Sequence, residues 1–186
     1  MKELIQRNLS GRKVLLLFIF TNIIYAFMLM ISIPKVMNFS GGMKFLDMMP
    51  LGYNAEYVNS LLNTLGEKGR HIYLYNQIPV DMIYPFFFGI SYCLVLAYIL
   101  NKLGKLNNYL FYLCLLPLFA GLFDYFENFG IITMLKSYPG NSILLSQITN
   151  IFSVLKSSFT IIYFITLIIF LLVFGINKLF KKKGSS

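Results

Sequence analysis

Four runs of apolar residues constrain this chain more than any other feature. Each is long enough to cross a lipid hydrocarbon core, which takes about 20 helical residues. They are Val14 to Ile33, Ile78 to Leu100, Tyr109 to Leu135, and Ile143 to Ile176. At 58% hydrophobic and 12% charged, a chain of 186 residues carries more apolar surface than a water-soluble domain can hide. In lipid each backbone polar group must be satisfied within its own segment, so runs of this length read as helices. The expected fold class is all-α: a polytopic integral membrane four-helix bundle over residues 1–183, with a long, partly helical first outer loop at 34–77. Gly184, Ser185 and Ser186 read as a cloning remnant.

Charge orients the spans. Lys2, Arg7, Arg12 and Lys13 precede the first run, Lys102 and Lys105 separate the second from the third, and Lys178, Lys181, Lys182 and Lys183 follow the fourth. These ten basic residues face a single acid, Glu3. The positive-inside rule then places both termini and the short middle loop in the cytoplasm and the other acids toward the outer side. The net charge of +9 does not suggest nucleic acid, because the basic residues sit at the ends of apolar runs rather than on one basic face. Trp is absent while Phe (19) and Tyr (13) are abundant, so interfacial belts must use Tyr and Phe. The first run is too long for a signal-peptide core and lacks a cleavage site after it, so it is expected to stay as an anchor. Cys93 and Cys114 lie within apolar runs and read as small packing residues, with no disulfide framework or metal spacing.

Polar residues inside the spans point to the site. Asp124, Glu127 and Asn128 in LPLFAGLFDYFENFG stand three and four apart, on one helix face. A carboxylate at the centre of a spanning helix costs roughly 2.5 to 3.5 kcal/mol, so this face should turn to a protein interior or a wet cavity. On the second run Asp81, Tyr84, Phe88 and Tyr92 also share a face. The two runs are antiparallel, which brings Asp81 to the depth of Asp124 and Glu127, and like charges withdrawn from water oppose one another's ionisation. Pro79 suits a first helical turn, and Pro85 should kink the span and free a carbonyl.

The fourth run carries a stripe of Ser146, Thr149, Ser153, Lys156, Thr160, Tyr163 and Thr166. Lys156 should therefore turn inward as the counter-charge; the alternative is a lysine snorkelling to headgroups. Thr21, Asn22 and Tyr25 lie half-way along the first run, where an Asn commonly hydrogen-bonds a neighbouring helix. In the outer loop Asn54 should cap a short amphipathic helix with Val58, Leu61, Leu62 and Leu65 on its apolar side and Gly66 as its stop, after a segment made flexible by Gly41 and Gly42. The sole histidine, His71, stands among interfacial aromatics.

The expected ligand-binding set is Asp81, Tyr84, Phe88, Tyr92, Asp124, Glu127, Asn128 and Lys156, with Arg70 at the rim. Carboxylates beside an amide oxygen suit a hard cation, proton transfer or a protonated amine. Zinc-type spacing, a nucleophile elbow and a phosphate loop are all missing, so no metal and no cofactor is expected. The reading is an outward-opening, acid-lined pocket for a small cationic or lipophilic ligand. A membrane enzyme acting on a lipid or isoprenoid through Asp124 or Glu127, and a structural tetraspan, are the alternatives. Membrane lipids are the expected partners, and self-association stays open.

GEKGRHIYLY, VDMIYP and LPLFAGLFDYFEN resemble short motifs of uncharacterised bacterial four-span membrane proteins. Their motif positions here are Gly66, Gly69, Arg70, Tyr73, Asp81, Tyr84, Pro85, Asp124, Glu127 and Asn128. That likeness covers Gly66 to Asn128 and implies a bacterial cytoplasmic membrane. The layout also resembles the sterol isomerase and sigma-2 receptor superfamily, which has four spans, a long first outer loop, intramembrane acids and a lysine-rich tail. Asp81 before Pro85, Phe86 and Phe87 is similar to an acid before Pro-Phe-Phe in that group. The acid expected near the end of the first span and the histidine expected in the third are missing here.

Overall fold

Every apolar run folds as helix. A computed structural model describes residues 2–140 and 142–183, the side chains of 181–183 excepted, so the terminal tripeptide read above as a remnant lies outside the described residues. Seven α-helices follow one another: α1 (Lys2–Arg7), α2 (Gly11–Phe27), α3 (Ile33–Met37), α4 (Ala55–Ile72), α5 (Ile78–Lys102), α6 (Leu116–Ser137) and α7 (Ile143–Lys183). No strand occurs among the described residues. Four helical stretches are long and apolar enough to cross a membrane: Gly11–Met37, Ala55–Lys102, Tyr109–Ser137 and Ile143–Phe180.

Prolines shape the joins. A wide π turn at Met28–Ser32 links α2 to α3, and a second at Tyr73–Gln77 links α4 to α5. Each precedes a proline, Pro34 and Pro79, and each contains the residue four before it. Proline offers no N–H to that carbonyl and its ring presses on it, so the helix widens by a residue rather than breaking. The two wide turns are tied together where the buried Ser32 hydroxyl donates to Gln77 Oε1 at 2.6 Å.

Gly66 ends the expected short helix: its φ of 62° and ψ of −178° are non-helical, so Ala55–Ile72 is two helical pieces meeting at a kink, and the second piece runs on toward α5. The short helix itself is present. The Asn54 side chain caps it by accepting from the Tyr57 N–H at 2.8 Å, and Val58, Leu61, Leu62 and Leu65 are buried.

α6 packs on α5, α7 lies along α6 and touches α5, and α2 packs on α5. Glycines set the closest approaches. A Cβ on Gly121 would stand 2.8 Å from the Pro85 carbonyl oxygen, and one on Gly130 would meet the Thr149 side chain.

Two hydrophobic cores result. One joins Phe45, Leu46, Val58 and Leu61, from the stretch between α3 and the end of α4, to Ile78 on α5 and Ile131 on α6. The other runs along the helices through Phe88, Tyr92, Leu96, Ala120 and Tyr163. The polar residues of α5 and α6 fall in the gap between them. Outward faces of α2 and α7 are apolar, with Leu16, Ile23, Ile162, Ile168 and Leu172 all exposed.

Candidate functional site

The site begins with the carbonyl that Pro85 leaves open. In a regular helix the carbonyl of residue 81 would accept from the N–H of residue 85, and proline has none. Asn128 supplies the missing donor, its Nδ2 standing 3.2 Å from the Asp81 main-chain oxygen. This bond pins α6 to the kink in α5 and brings Asp124 and Glu127 beside Asp81, as the antiparallel depth argument requires. It also corrects the role expected for Asn128, whose amide nitrogen serves the backbone of a neighbouring helix and whose side chain is fully buried.

Lys156 faces inward, which removes the snorkelling alternative. Its Nζ lies 3.2 Å from Asp124 Oδ1 and 2.5 Å from Glu127 Oε2, with only 14% of the side chain exposed. Both contacts are ion pairs, and the Asp124 contact is also a hydrogen bond. A third contact, 3.5 Å to the Asp47 carbonyl, joins the lysine to the segment between α3 and α4. Tyr73 donates to the Asp47 carboxylate at 3.0 Å. Tyr53 is held nearby, its N–H donating to Asn150 Oδ1 on α7 at 2.7 Å. Burial pushes the Tyr53 hydroxyl above the usual phenol range, and the Glu127 charge adds to the effect.

Beside this cluster lies a cleft of about 360 Å3. α2 contributes Asn22 and Tyr25, α5 Tyr84, Phe88 and Tyr92, α6 Ala120 and Asp124, and α7 Lys156, Thr160 and Phe164, with Asp47 and Pro50 above. Aromatic rings pack in series along its wall. Tyr25 stacks on Tyr84 at 5.3 Å between centroids, Tyr84 meets Phe88 at 5.6 Å, and Phe88 meets Tyr92 at 4.7 Å. At its lower end Tyr92 donates to Asn22 Oδ1 at 3.1 Å, so the Asn half-way along the first run is the interhelical tie its position predicts.

Five of the nine expected residues therefore line one cavity: Tyr84, Phe88, Tyr92, Asp124 and Lys156. Asp81, Glu127 and Asn128 are buried behind that wall. Arg70 is not at the rim of the cleft. Its guanidinium donates to the Leu62 carbonyl at 2.7 Å and lies over the Tyr138 ring at 4.2 Å. The reason is local, since the bend at Gly66 leaves carbonyls of the preceding turn short of helical donors and Arg70 reaches back to one of them. His71 is exposed and touches only the Tyr75 ring among the contacts described.

Asp47 is the residue that the sequence reading overlooked. Its signal was an acid flanked by Phe45, Leu46, Met48 and Met49 in an outer loop, an arrangement that draws the loop down onto an apolar surface. No three His, Cys, Asp or Glu side chains among the described residues are placed to hold a metal ion together. No family model matches the chain, and no curated protein or solved structure does. The site's chemistry is thus argued from its geometry: an aromatic-walled cleft that ends at a carboxylate.

Proposed function

We propose that this chain is a four-span integral membrane bundle of the bacterial cytoplasmic membrane that binds a lipophilic cation in the cleft between α2 and α7. The observation that carries the reading is the meeting, in one cavity, of the Tyr25, Tyr84, Phe88 and Tyr92 rings with the Asp124 carboxylate. Aromatic faces attract a desolvated cation by up to about 2 kcal/mol, and an apolar body gains from the same walls. Exposed apolar faces on α2 and α7 support burial of the helices in lipid. The rim residues Tyr25, Ile161 and Phe164 are 42%, 51% and 37% exposed, which supports sideways access from the bilayer rather than an opening straight outward.

Decyltrimethylammonium tests the reading, since it joins a permanent cation to an apolar chain. Calorimetric titration of the purified protein in micelles should give saturable binding. Asp124→Asn should weaken it about tenfold or more, equivalent to about 1.4 kcal/mol, and Tyr84→Ala should also weaken it. The Lys156 ion pairs with Asp124 and Glu127 favour a second reading, a tetraspan whose polar groups fix packing alone. Saturable binding that ignores both substitutions, or no binding at all, would establish that reading instead.

A further inference from the structure

Three buried carboxyl groups share one ammonium. Asp81, Asp124 and Glu127 are 4%, 8% and 0% exposed, and Lys156 is the cation paired with the last two. Asp47 adds a fourth acid at the outer edge. If all of them were ionised, the cluster would keep an unbalanced negative charge away from water, which is costly without partners. The atoms behind Lys156 show how incompletely that charge is met. Asp81 Oδ2, Glu127 Oε1, Asn128 Oδ1 and the Tyr53 hydroxyl are buried with no hydrogen-bond partner among the described residues, while Glu127 Oε2 meets Lys156. Asn128 is aimed into this nest, its amide nitrogen reaching the Asp81 carbonyl while its oxygen stays unpartnered, and the buried Tyr53 hydroxyl lies within the field of Glu127, Lys156 and Asp47.

Resting on the binding reading above, we infer that the cleft exchanges a proton for its cation: a cationic head arriving at Asp124 displaces one proton from the Asp81 and Glu127 pair behind it. The step balances in charge and atoms. One positive charge enters, one carboxyl O–H bond breaks, and the proton passes to bulk water. Asp124 then answers the ligand while Lys156 answers the newly ionised carboxylate. The groups facing that pair come from every neighbouring element: Asp47 and Tyr53 from the segment between α3 and α4, Tyr73 from the turn before α5, Asp124 on α6 and Lys156 on α7. From α2 come Asn22 and Tyr25, both uncharged and lining the cleft. Asp81 and Glu127 stand outside the cleft lining, so they can lose a proton without touching the ligand.

The test measures protons and binding together, adding decyltrimethylammonium to the full chain in weakly buffered micelles with a pH indicator present. The probe carries a fixed charge and contributes no proton of its own. About one proton should appear per cation bound near neutral pH. Because protons are products of binding, acidification must oppose it, and affinity should fall by up to about tenfold per pH unit. The double variant D81N/E127Q leaves Lys156 and Asp124 as a balanced pair; it should still bind but release no proton. Binding without proton release, or release that survives in the double variant, overturns the exchange and leaves the cleft reading standing. Absence of binding overturns both. Should the double variant fail to fold, the parent's pH dependence decides, and an affinity flat with pH refutes the exchange.

Discussion

Lys156 is the residue on which the polar cluster balances. It meets Asp124 and Glu127 from α7 and the Asp47 carbonyl from the segment between α3 and α4, so its loss strands carboxyl groups that have no other cation among their described contacts. Removing one partner of a buried pair typically costs about 3 to 5 kcal/mol, mostly because the other charge stays behind. Lys156→Met should lower the melting temperature in detergent, and Glu127→Gln added to it should recover part of the loss. A Lys156→Met protein that melts like its parent would show that the pair does not hold the fold. The inward turn of Lys156 was legible because the polar stripe continues past it at helical spacing. Asp124, Glu127 and Asp81 were legible for the same reason of period and depth. Asp47 was not, since its place depends on a loop folding back over helices distant in sequence, and Arg70 was misplaced because its partner exists only where Gly66 bends the chain. Several neighbouring residues have structural duties of their own. Gly66 bends the helix, Gly69 passes close to Phe39, Tyr73 holds Asp47, and Pro85 and Asn128 form one joint.

Among elements, the contact of α5 with α6 decides how close the acids come. Gly121 has its Cβ direction blocked by the Pro85 carbonyl at 2.8 Å, and a backbone oxygen cannot swing aside as a side chain can. Gly121→Ala should therefore destabilise the protein by about 1 to 3 kcal/mol, the usual cost of overpacking. Alanine is the better helix former by about 1 kcal/mol, so propensity alone predicts the opposite sign. Gly175 on α7 has nothing within 4 Å of its Cβ direction, and Gly175→Ala serves as the control that should hold or raise the melting temperature. A thermal scan in which Gly121→Ala matches Gly175→Ala would refute the close contact. Helix number and extent were readable from apolar length. The two π turns were not, because proline marks a disturbance without saying whether the helix breaks, kinks or widens. The pairing of Ser32 with Gln77 across the two wide turns explains why they widen and stay helical.

At the scale of the whole molecule, three separate segments gather at one end. Lys2 on α1 donates to the Asn107 carbonyl at 3.3 Å and Gln6 donates to the Asn107 side chain at 3.1 Å, which brings the N-terminal helix to the loop between α5 and the short 3-10 helix Tyr109–Leu115. Lys102, at the end of α5, shares a hollow with Asn177 and Lys178 near the end of α7. Lys2, Lys102 and Lys178, drawn from three places in the sequence, thus mark one cationic end, while Asp47, Glu56 and Glu67 belong to the segment before α4 and to α4, whose apolar side packs on Ile78 of α5 and Ile131 of α6. A bilayer with a positive-inside bias should hold the cationic end in the cytoplasm. Single cysteines at Ser60 and Lys105, introduced after Cys93 and Cys114 are replaced, test that orientation, because both positions are exposed and lie on opposite sides of the helical layer. An impermeant thiol reagent added to intact cells should label position 60, and position 105 should react only after the membrane is opened. Labelling of 105 without 60 would invert the molecule, turning the roof formed by Asp47 and Pro50 toward the cytoplasm and reversing the side from which protons reach the cleft.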